Sequence, residues 1–158
     1  MTEKASRIVR QSPSGRRLGA LGFARLSLSA NAAYSDGVDK QIPFDTIDDM
    51  SDGFGELVDG GSLGTAGAFR LTSTGVYLVI TVATVSAPGT AVVLAQLLGA
   101  GTLVGDGKTD TTGLSVSGSA VVTSVDGTDG DISNVLRVAG ASGNIVASGT
   151  SCLIVQVG

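Results

Sequence analysis

The stretch GVYLVITVATV, residues 75–85, is apolar on both faces of an extended strand. Side chains of a strand alternate between its two faces. One face carries Val76, Leu78, Ile80 and Val82, and the other carries Tyr77, Val79, Ala83 and Val85. Because β-branched and aromatic residues favour strands over helices, the stretch predicts a β-strand that is covered on both sides.

The C-terminal segment SCLIVQV, residues 151–157, repeats this two-faced pattern, with Leu153 and Val155 alternating with Cys152 and Ile154. In a two-sheet sandwich one face of a strand covers the core, and the other is wet unless something covers it. A neighbouring subunit is the simplest cover, and loops or the N-terminal segment are the alternative. Cys152 itself is predicted to lie in the core.

The rest of the chain carries short apolar runs that are separated by Gly or Asp-Gly turns. Strands are predicted from Phe23 and near residues 40–47, 54–58, 68–73, 91–98, 101–105, 113–124, 131–138 and 143–148. No segment has a helical stripe of apolar residues. Many short strands with regular turn signals indicate an all-β sandwich or barrel.

The composition is apolar for a small protein. The chain of 158 residues is 42% hydrophobic and only 15% charged, with a mean hydropathy of +0.37. The length fits one domain with a single core. The excess of apolar residues indicates further burial between subunits.

Charge divides the chain into a basic start and an acidic body. Up to Ala30 there are six basic residues against Glu3 alone, whereas the remainder has four basic and thirteen acidic residues. We interpret residues 1–22 as an extended basic arm and residues 23–158 as one domain. A basic arm can bind nucleic acid or an acidic protein surface, and a solvated tail is the alternative.

The sequence lacks the residue types on which most catalytic sites depend. The sequence has no histidine and a single cysteine, which removes the usual general base, the usual triads and the commonest metal ligand. We predict no catalytic residue, no cofactor, no metal ligand and no small-molecule substrate. Asp126, Asp129 and Asp131 are spaced closely enough to consider calcium, but their spacing does not match an EF-hand and Asp-Gly turns are the preferred explanation.

Two apolar segments have some features of a membrane span or a targeting signal. The uncharged stretch between Arg70 and Asp106 is split by Pro88-Gly89 into two short runs, which read as adjacent strands. The apolar run Leu18–Ala24 is short and is followed by Arg25, unlike a signal peptide. We therefore predict neither a membrane span nor a secretory leader.

The order of these motifs resembles the jelly rolls of the tumour necrosis factor and complement-head superfamily. Phe69 followed after five residues by Gly75-Val76-Tyr77 resembles the most characteristic run of that family. Ile42-Pro43-Phe44-Asp45 resembles its early strand, and Ser117-Gly118-Ser119 and Gly130-Asp131 resemble a later strand and turn. The resemblance covers residues 24–157.

The resemblance implies a jelly-roll β-sandwich that forms a homotrimer, with strands 76–85 and 151–157 on the inner sheet. It places Tyr77, Val79, Leu153 and Val155 at the trimer interface. In such a trimer, the neighbouring subunits would cover the second apolar face of these strands.

Among proteins of this fold, the chain resembles phage head decoration (cement) proteins. Its Gly/Ala/Ser/Thr/Val-rich composition, basic arm and lack of a disulfide framework carry this likeness. The implied role is a virion protein on the capsid surface, whose arm contacts the major capsid protein without binding nucleic acid directly. The residues expected at that contact are Arg7, Arg10, Arg16 and Arg17. The alternative is a trimeric receptor-binding or tail-associated phage protein that recognises a host surface ligand through loops 48–67 and 105–112.

Overall fold

A computed structural model describes residues 21–59, 66–87, 89–97, 102–103, 107–108, 114–124 and 131–158. The strands are β1 (Phe23–Ser27), β2 (Ala32–Tyr34), β3 (Lys40–Gln41), β4 (Thr46–Met50), β5 (Gly55–Asp59), β6 (Ala66–Leu71), β7 (Gly75–Thr84), β8 (Thr90–Leu97), β9 (Thr102–Leu103), β10 (Gly107–Lys108), β11 (Ser115–Ser124), β12 (Asp131–Ala139), β13 (Gly143–Ile145) and β14 (Ser151–Gln156). One turn of 3₁₀-helix, Ala147–Gly149, precedes β14. The predicted extended arm lies almost entirely outside the described residues.

The strands form two antiparallel sheets packed face to face. The first sheet has the order β11-β7-β14-β1-β4, and the second has the order β10-β8-β12-β6-β5, with β3 beside β12 and β9 beside β8. A small separate pair joins β2 and β13. Strands that follow one another along the chain, such as β6, β7 and β8, alternate between the two sheets. This alternation is the mark of a jelly roll and confirms the predicted fold class.

The core lies between the two sheets and is filled by Val, Leu, Ile and Ala side chains and by five aromatic rings, those of Tyr34, Phe44, Phe54, Phe69 and Tyr77. The ring centroid of Phe54 lies 5.8 Å from that of Tyr77, in an edge-to-face arrangement, and 6.0 Å from that of Phe69. Both distances are within the range favoured for aromatic pairs. The Tyr77 hydroxyl donates a 2.7 Å hydrogen bond to the carbonyl of Ser73. Because its polar end is satisfied in this way, the tyrosine can be fully buried.

The predicted strand 40–47 is divided in the structure. Residues 42–45 leave the regular ladder between β3 and β4, and Pro43, which has no N–H group, sits in the break. The segment remains attached because Ile42 donates its N–H to the carbonyl of Asn134 at 2.7 Å. Phe44 points inward from it and is 1% exposed.

Candidate assembly surface

The outer face of the first sheet presents a band of apolar side chains away from the core. In the central row, Leu78 on β7 is paired with Val121 on β11 and with Val155 on β14. In the next row, Ile80 is paired with Leu153. These five residues are defined here as the apolar sheet face. Val121 is 56% exposed and Ile80 is 37% exposed, and the other three are half-buried.

The face becomes polar away from this band. Ile80 is flanked on β11 by Ser119, and Val82 is flanked by Ser117. Ile80, both serines and Gly118 line a shallow depression with a volume of about 300 Å³. On the other side, Leu153 is paired with Arg25. In the row of Leu78, by contrast, Val155 is paired with Phe23, so the apolar band continues onto β1, and its polar neighbours are the serines of β11 and Arg25.

The structure corrects two of the four predicted interface residues. Tyr77 and Val79 are each 1% exposed and pack inside the sandwich of a single chain. The sequence correctly predicts that Tyr77 and Val79 lie on the opposite face of the strand from Leu78 and Ile80, but the face of Tyr77 and Val79 is the inner one. Leu153 and Val155 lie on the outer face, as an interface requires.

Leu78, Ile80 and Val121 belong to the apolar sheet face but were not among the predicted interface residues. A usable signal was present in β11, where Ser117 and Ser119 share a face with Val121. Pairing that strand with β7 in the observed register sets the serines beside Val82 and Ile80. A serine-bearing face is the one expected to look outward.

The predicted basic contact residues Arg7, Arg10, Arg16 and Arg17 lie outside the described residues. The predicted recognition loops are described only in part, as residues 48–59, 66–67 and 107–108. Their described portions contribute to β4, β5, β6 and β10 rather than to a continuous loop.

An acidic edge borders the first sheet at β4. Asp45 accepts hydrogen bonds from the backbone N–H of Ser29 at 2.8 Å, from the Ser29 hydroxyl and from the Thr46 hydroxyl at 3.0 Å. The Ser29 hydroxyl in particular lowers the pKa of Asp45 below its ordinary value of 3.8. Asp48 accepts a hydrogen bond from Ser27 at 2.8 Å. Asp45 is therefore ionised at neutral pH, and acidic residues along an edge strand protect it from unwanted pairing.

Asp131, one of the three carboxylates considered for calcium, is engaged in an ion pair. Its two oxygens accept hydrogen bonds from Arg70 at 2.8 Å and 3.0 Å, and the two residues are direct partners of β12 and β6. Asp126 and Asp129 lie outside the described residues. Within the described ranges no group of three or more Asp, Glu or Cys residues is placed to hold a metal ion.

Cys152 lies in the core, as predicted, and is 1% exposed. Its sulfur lies 3.5 Å from the Thr81 hydroxyl and 3.5 Å from the Asn134 amide nitrogen. Burial raises the pKa of the thiol to about 11. The thiol is therefore a packing group rather than a nucleophile.

No helix in the part of the chain that the structure describes has the length and hydropathy needed to cross a membrane.

Comparison with known proteins identifies the fold. No family model matches the sequence, and no curated protein matches it. Among solved structures, murine APRIL at pH 8.0 is 14% identical over 87% of this chain and 99% of that chain, with a TM-score of 0.61. The PRD1 vertex protein P5 is 10% identical over 89% and 100%, with a TM-score of 0.66. Eiger TNF from S. frugiperda is 12% identical over 87% and 93%, with a TM-score of 0.51.

These identities are low, and the likeness therefore defines the fold. The chain has a TNF-like jelly roll, the fold that it shares with APRIL, Eiger TNF and the PRD1 vertex protein P5. This confirms the resemblance that was drawn from Phe69 and the Gly75-Val76-Tyr77 run.

Proposed function

We propose that the chain is a phage virion structural protein that trimerises through the apolar sheet face and decorates the head shell as a cement protein. The observation that carries the proposal is this exposed apolar band on the outer face of the first sheet. The fold shared with the PRD1 phage vertex protein supports a virion role. The resemblance stated above supports the trimer and the position on the capsid surface.

The physical reason for assembly is the cost of leaving the apolar sheet face in water. Burying apolar side chains contributes about 25 cal/mol for each Å² removed from solvent. Leu78, Leu153 and Val155 already have half-buried side chains, and a partner would cover them together with Val121 and Ile80. Contacts of this kind between identical subunits close into a compact symmetric oligomer.

The attachment to the shell is assigned to the basic arm. Arg7, Arg10, Arg16 and Arg17 would pair with acidic residues of the major capsid protein. Each exposed ion pair is weak, but three arms on one trimer bind together and raise the overall affinity. The role requires no nucleic acid, membrane, cofactor or catalytic group.

The trimer is tested by native mass measurement on the full chain and on Val121→Asp. The matched control is Val38→Asp, because Val38 is 55% exposed and Val121 is 56% exposed, while Val38 lies in a loop away from the sheet face. We expect trimers for the parent chain and for Val38→Asp, and monomers for Val121→Asp. A trimer that tolerates Val121→Asp would contradict the assignment of the interface.

The capsid role is tested by sedimentation with shells of the virus that encodes the chain. Replacing the four arm arginines by glutamate should abolish co-sedimentation while native mass still shows a trimer. Unchanged binding would contradict the arm as the attachment point. A trimer that binds host cells instead of shells would favour the receptor-binding alternative.

A further inference from the structure

A groove opens where the segment leading into β4 meets the edge strand β5. It has a volume of about 200 Å³ and is lined by Phe44, Asp45, Leu57, Val58, Asp59 and Gly67. Leu57 is partly buried against the core, and Phe44 is almost fully buried beneath the opening. The groove therefore has an apolar floor at one open edge of the second sheet.

Gly67 brings the walls of this groove together. Its φ of +103° is a conformation that L side chains rarely adopt, and a Cβ there would lie 2.6 Å from backbone atoms of Ile42, Pro43 and Phe44. Only glycine lets β6 approach the 42–44 segment this closely. The groove is thus fixed by backbone packing rather than by flexible side chains.

Two exposed carboxylates stand at the rim of the groove, Asp45 on the β4 side and Asp59 on the β5 side. Asp45 is oriented by three hydrogen bonds from Ser29 and Thr46. Within the described part of the chain, the ion pairs are those of Arg70 and Arg137, and neither involves a rim carboxylate. The rim therefore matches a ligand with an apolar centre and flanking cations.

The chain itself contains such a ligand in Arg7-Ile8-Val9-Arg10, where two arginines flank two β-branched apolar residues. The described chain begins about one strand length from the groove. Gly22 lies against the ring of Phe54, and Phe54 immediately precedes β5, whose far end carries Val58 and Asp59.

The connection is long enough for this segment to reach the groove of its own subunit. Residues 11–21 can span roughly 36 Å when extended, whereas β5 is about 17 Å long. A tethered ligand also has a high effective concentration at a site within its reach, so it outcompetes the same segment of another molecule.

We propose that this groove is the docking site for Arg7–Arg10 of the same chain, which holds the basic arm on the subunit until an acidic shell surface competes for it. Ile8 and Val9 would cover the apolar floor formed by Phe44 and Leu57, and the two arginines would pair with Asp45 and Asp59. The inference rests on the arm's proposed role in shell attachment. It adds that the arm is stored before it is used.

Paramagnetic broadening in the full-length, ¹⁵N-labelled protein tests the docking. A nitroxide on Ser6→Cys labels the arm selectively because the native Cys152 is buried. We expect the amide signals of Leu57 and Val58 to lose most of their intensity, while that of Thr123 keeps it, because β11 lies at the opposite edge of the first sheet from β4. High salt should restore the lost signals because it screens exposed ion pairs.

Two charge variants distinguish docking of the arm in the groove from general attraction of the basic arm to an acidic surface. Asp59→Lys removes a rim carboxylate, whereas Asp49→Lys makes the same change on the exposed edge strand β4, outside the groove. Broadening should disappear in Asp59→Lys and persist in Asp49→Lys. Equal loss in both variants, or no broadening at Val58 in the parent chain, would overturn the proposal.

Dilution distinguishes the same chain from a neighbouring one. When the labelled protein is refolded with an excess of unlabelled protein, docking within one chain leaves the broadening unchanged. Broadening that declines on dilution would overturn the assignment to the same chain. None of these results alters the native mass of Val121→Asp or shell binding, so failure here is distinguishable from failure of the proposed function.

Discussion

The hydroxyl of Thr81 donates a 2.6 Å hydrogen bond to the side-chain carbonyl of Asn134, and this bond joins the two sheets through the centre of the sandwich. Thr81 belongs to β7 of the first sheet, and Asn134 belongs to β12 of the second. The sulfur of Cys152 completes the cluster, 3.5 Å from each partner. All three residues are at most 3% exposed. A buried polar cluster of this kind is costly when it is only partly satisfied.

Breaking one side of the Thr81–Asn134 bond should destabilise the fold. Thr81→Val keeps the shape of the side chain but leaves the Asn134 oxygen without its donor. An unsatisfied buried polar group costs about 1–3 kcal/mol, which chemical denaturation would show as a lower free energy of unfolding.

The double variant Thr81→Val/Asn134→Leu is the informative control. Replacing both partners by apolar groups leaves no unsatisfied polar atom. The loss of stability in the double variant should therefore be smaller than the sum of the two single losses, and the difference is the coupling energy. Simple additivity of the two losses would show that the bond contributes little.

The Cys152 thiol should resist modification until the sandwich opens. Burial raises its pKa to about 11 from an ordinary value of 9.0. At pH 8 the folded thiol is protonated and shielded, so a thiol reagent should label it only as fast as the chain unfolds. An exposed control, Val38→Cys, should react at once, and rapid labelling of Cys152 itself would contradict its placement.

The same raised pKa has a consequence for stability at high pH. The folded state keeps the thiol protonated, whereas the unfolded chain releases the proton above its ordinary value of 9.0. The contribution is therefore full below pH 9 and is lost as the pH rises through about 11. Cys152→Ala should remove this component of the alkaline loss of stability, as seen in denaturation curves between these pH values.

The sequence was sufficient to predict the long strands, the jelly roll and the existence of a second apolar face, but not the short strands β2 and β10 or the break at Pro43. Alternation shows that Tyr77 and Val79 share one face and that Leu78 and Ile80 share the other. It cannot show which face is inside when both are apolar, and here the aromatic side points inward. The decision is made by long-range contacts that no local pattern carries: the ring of Tyr77 packs edge-to-face against Phe54, and Thr81 donates a hydrogen bond to Asn134 across the core.

The groove at β5 was beyond prediction for a similar reason. Leu57 and Val58 read as part of one short strand at 54–58, and Phe44 and Asp45 read as part of another at 40–47. Only the close approach of Gly67 to residues 42–44 brings the two segments together. That approach depends on a positive φ at Gly67. Every glycine can adopt a positive φ, and the sequence alone does not show which glycines do so.

Gly67→Ala should be among the most destabilising single substitutions in the body. It adds the cost of a left-handed backbone conformation, about 1–2 kcal/mol, to that of overpacking against the Ile42–Phe44 backbone, about 1–3 kcal/mol. Gly37→Ala is the matched control, because Gly37 has a φ of +68° but nothing within 4 Å of an added Cβ. Thermal unfolding should show the smaller, purely conformational loss for Gly37→Ala, and equal losses would contradict the close contact at Gly67.

The Ser29–Asp45 contact should make stability depend on pH in the acid range. The Ser29 hydroxyl is the main cause of the lowered pKa of Asp45, and burial opposes it only in part. Since the folded pKa lies below the unfolded value, the stabilisation is present above an ordinary value of 3.8 and is lost as the pH falls through the folded pKa. Ser29→Ala should therefore be less stable than the parent at neutral pH, and the difference should shrink on acidification.

Ser142→Ala provides the control, because the hydrogen bond that Ser142 accepts comes from a backbone amide, the N–H of Asp36, and a backbone N–H does not titrate. Its effect should stay constant between neutral and acid pH in urea denaturation, and a Ser29→Ala difference that also stayed constant would show that Asp45 is not stabilised in its charged form by this hydroxyl.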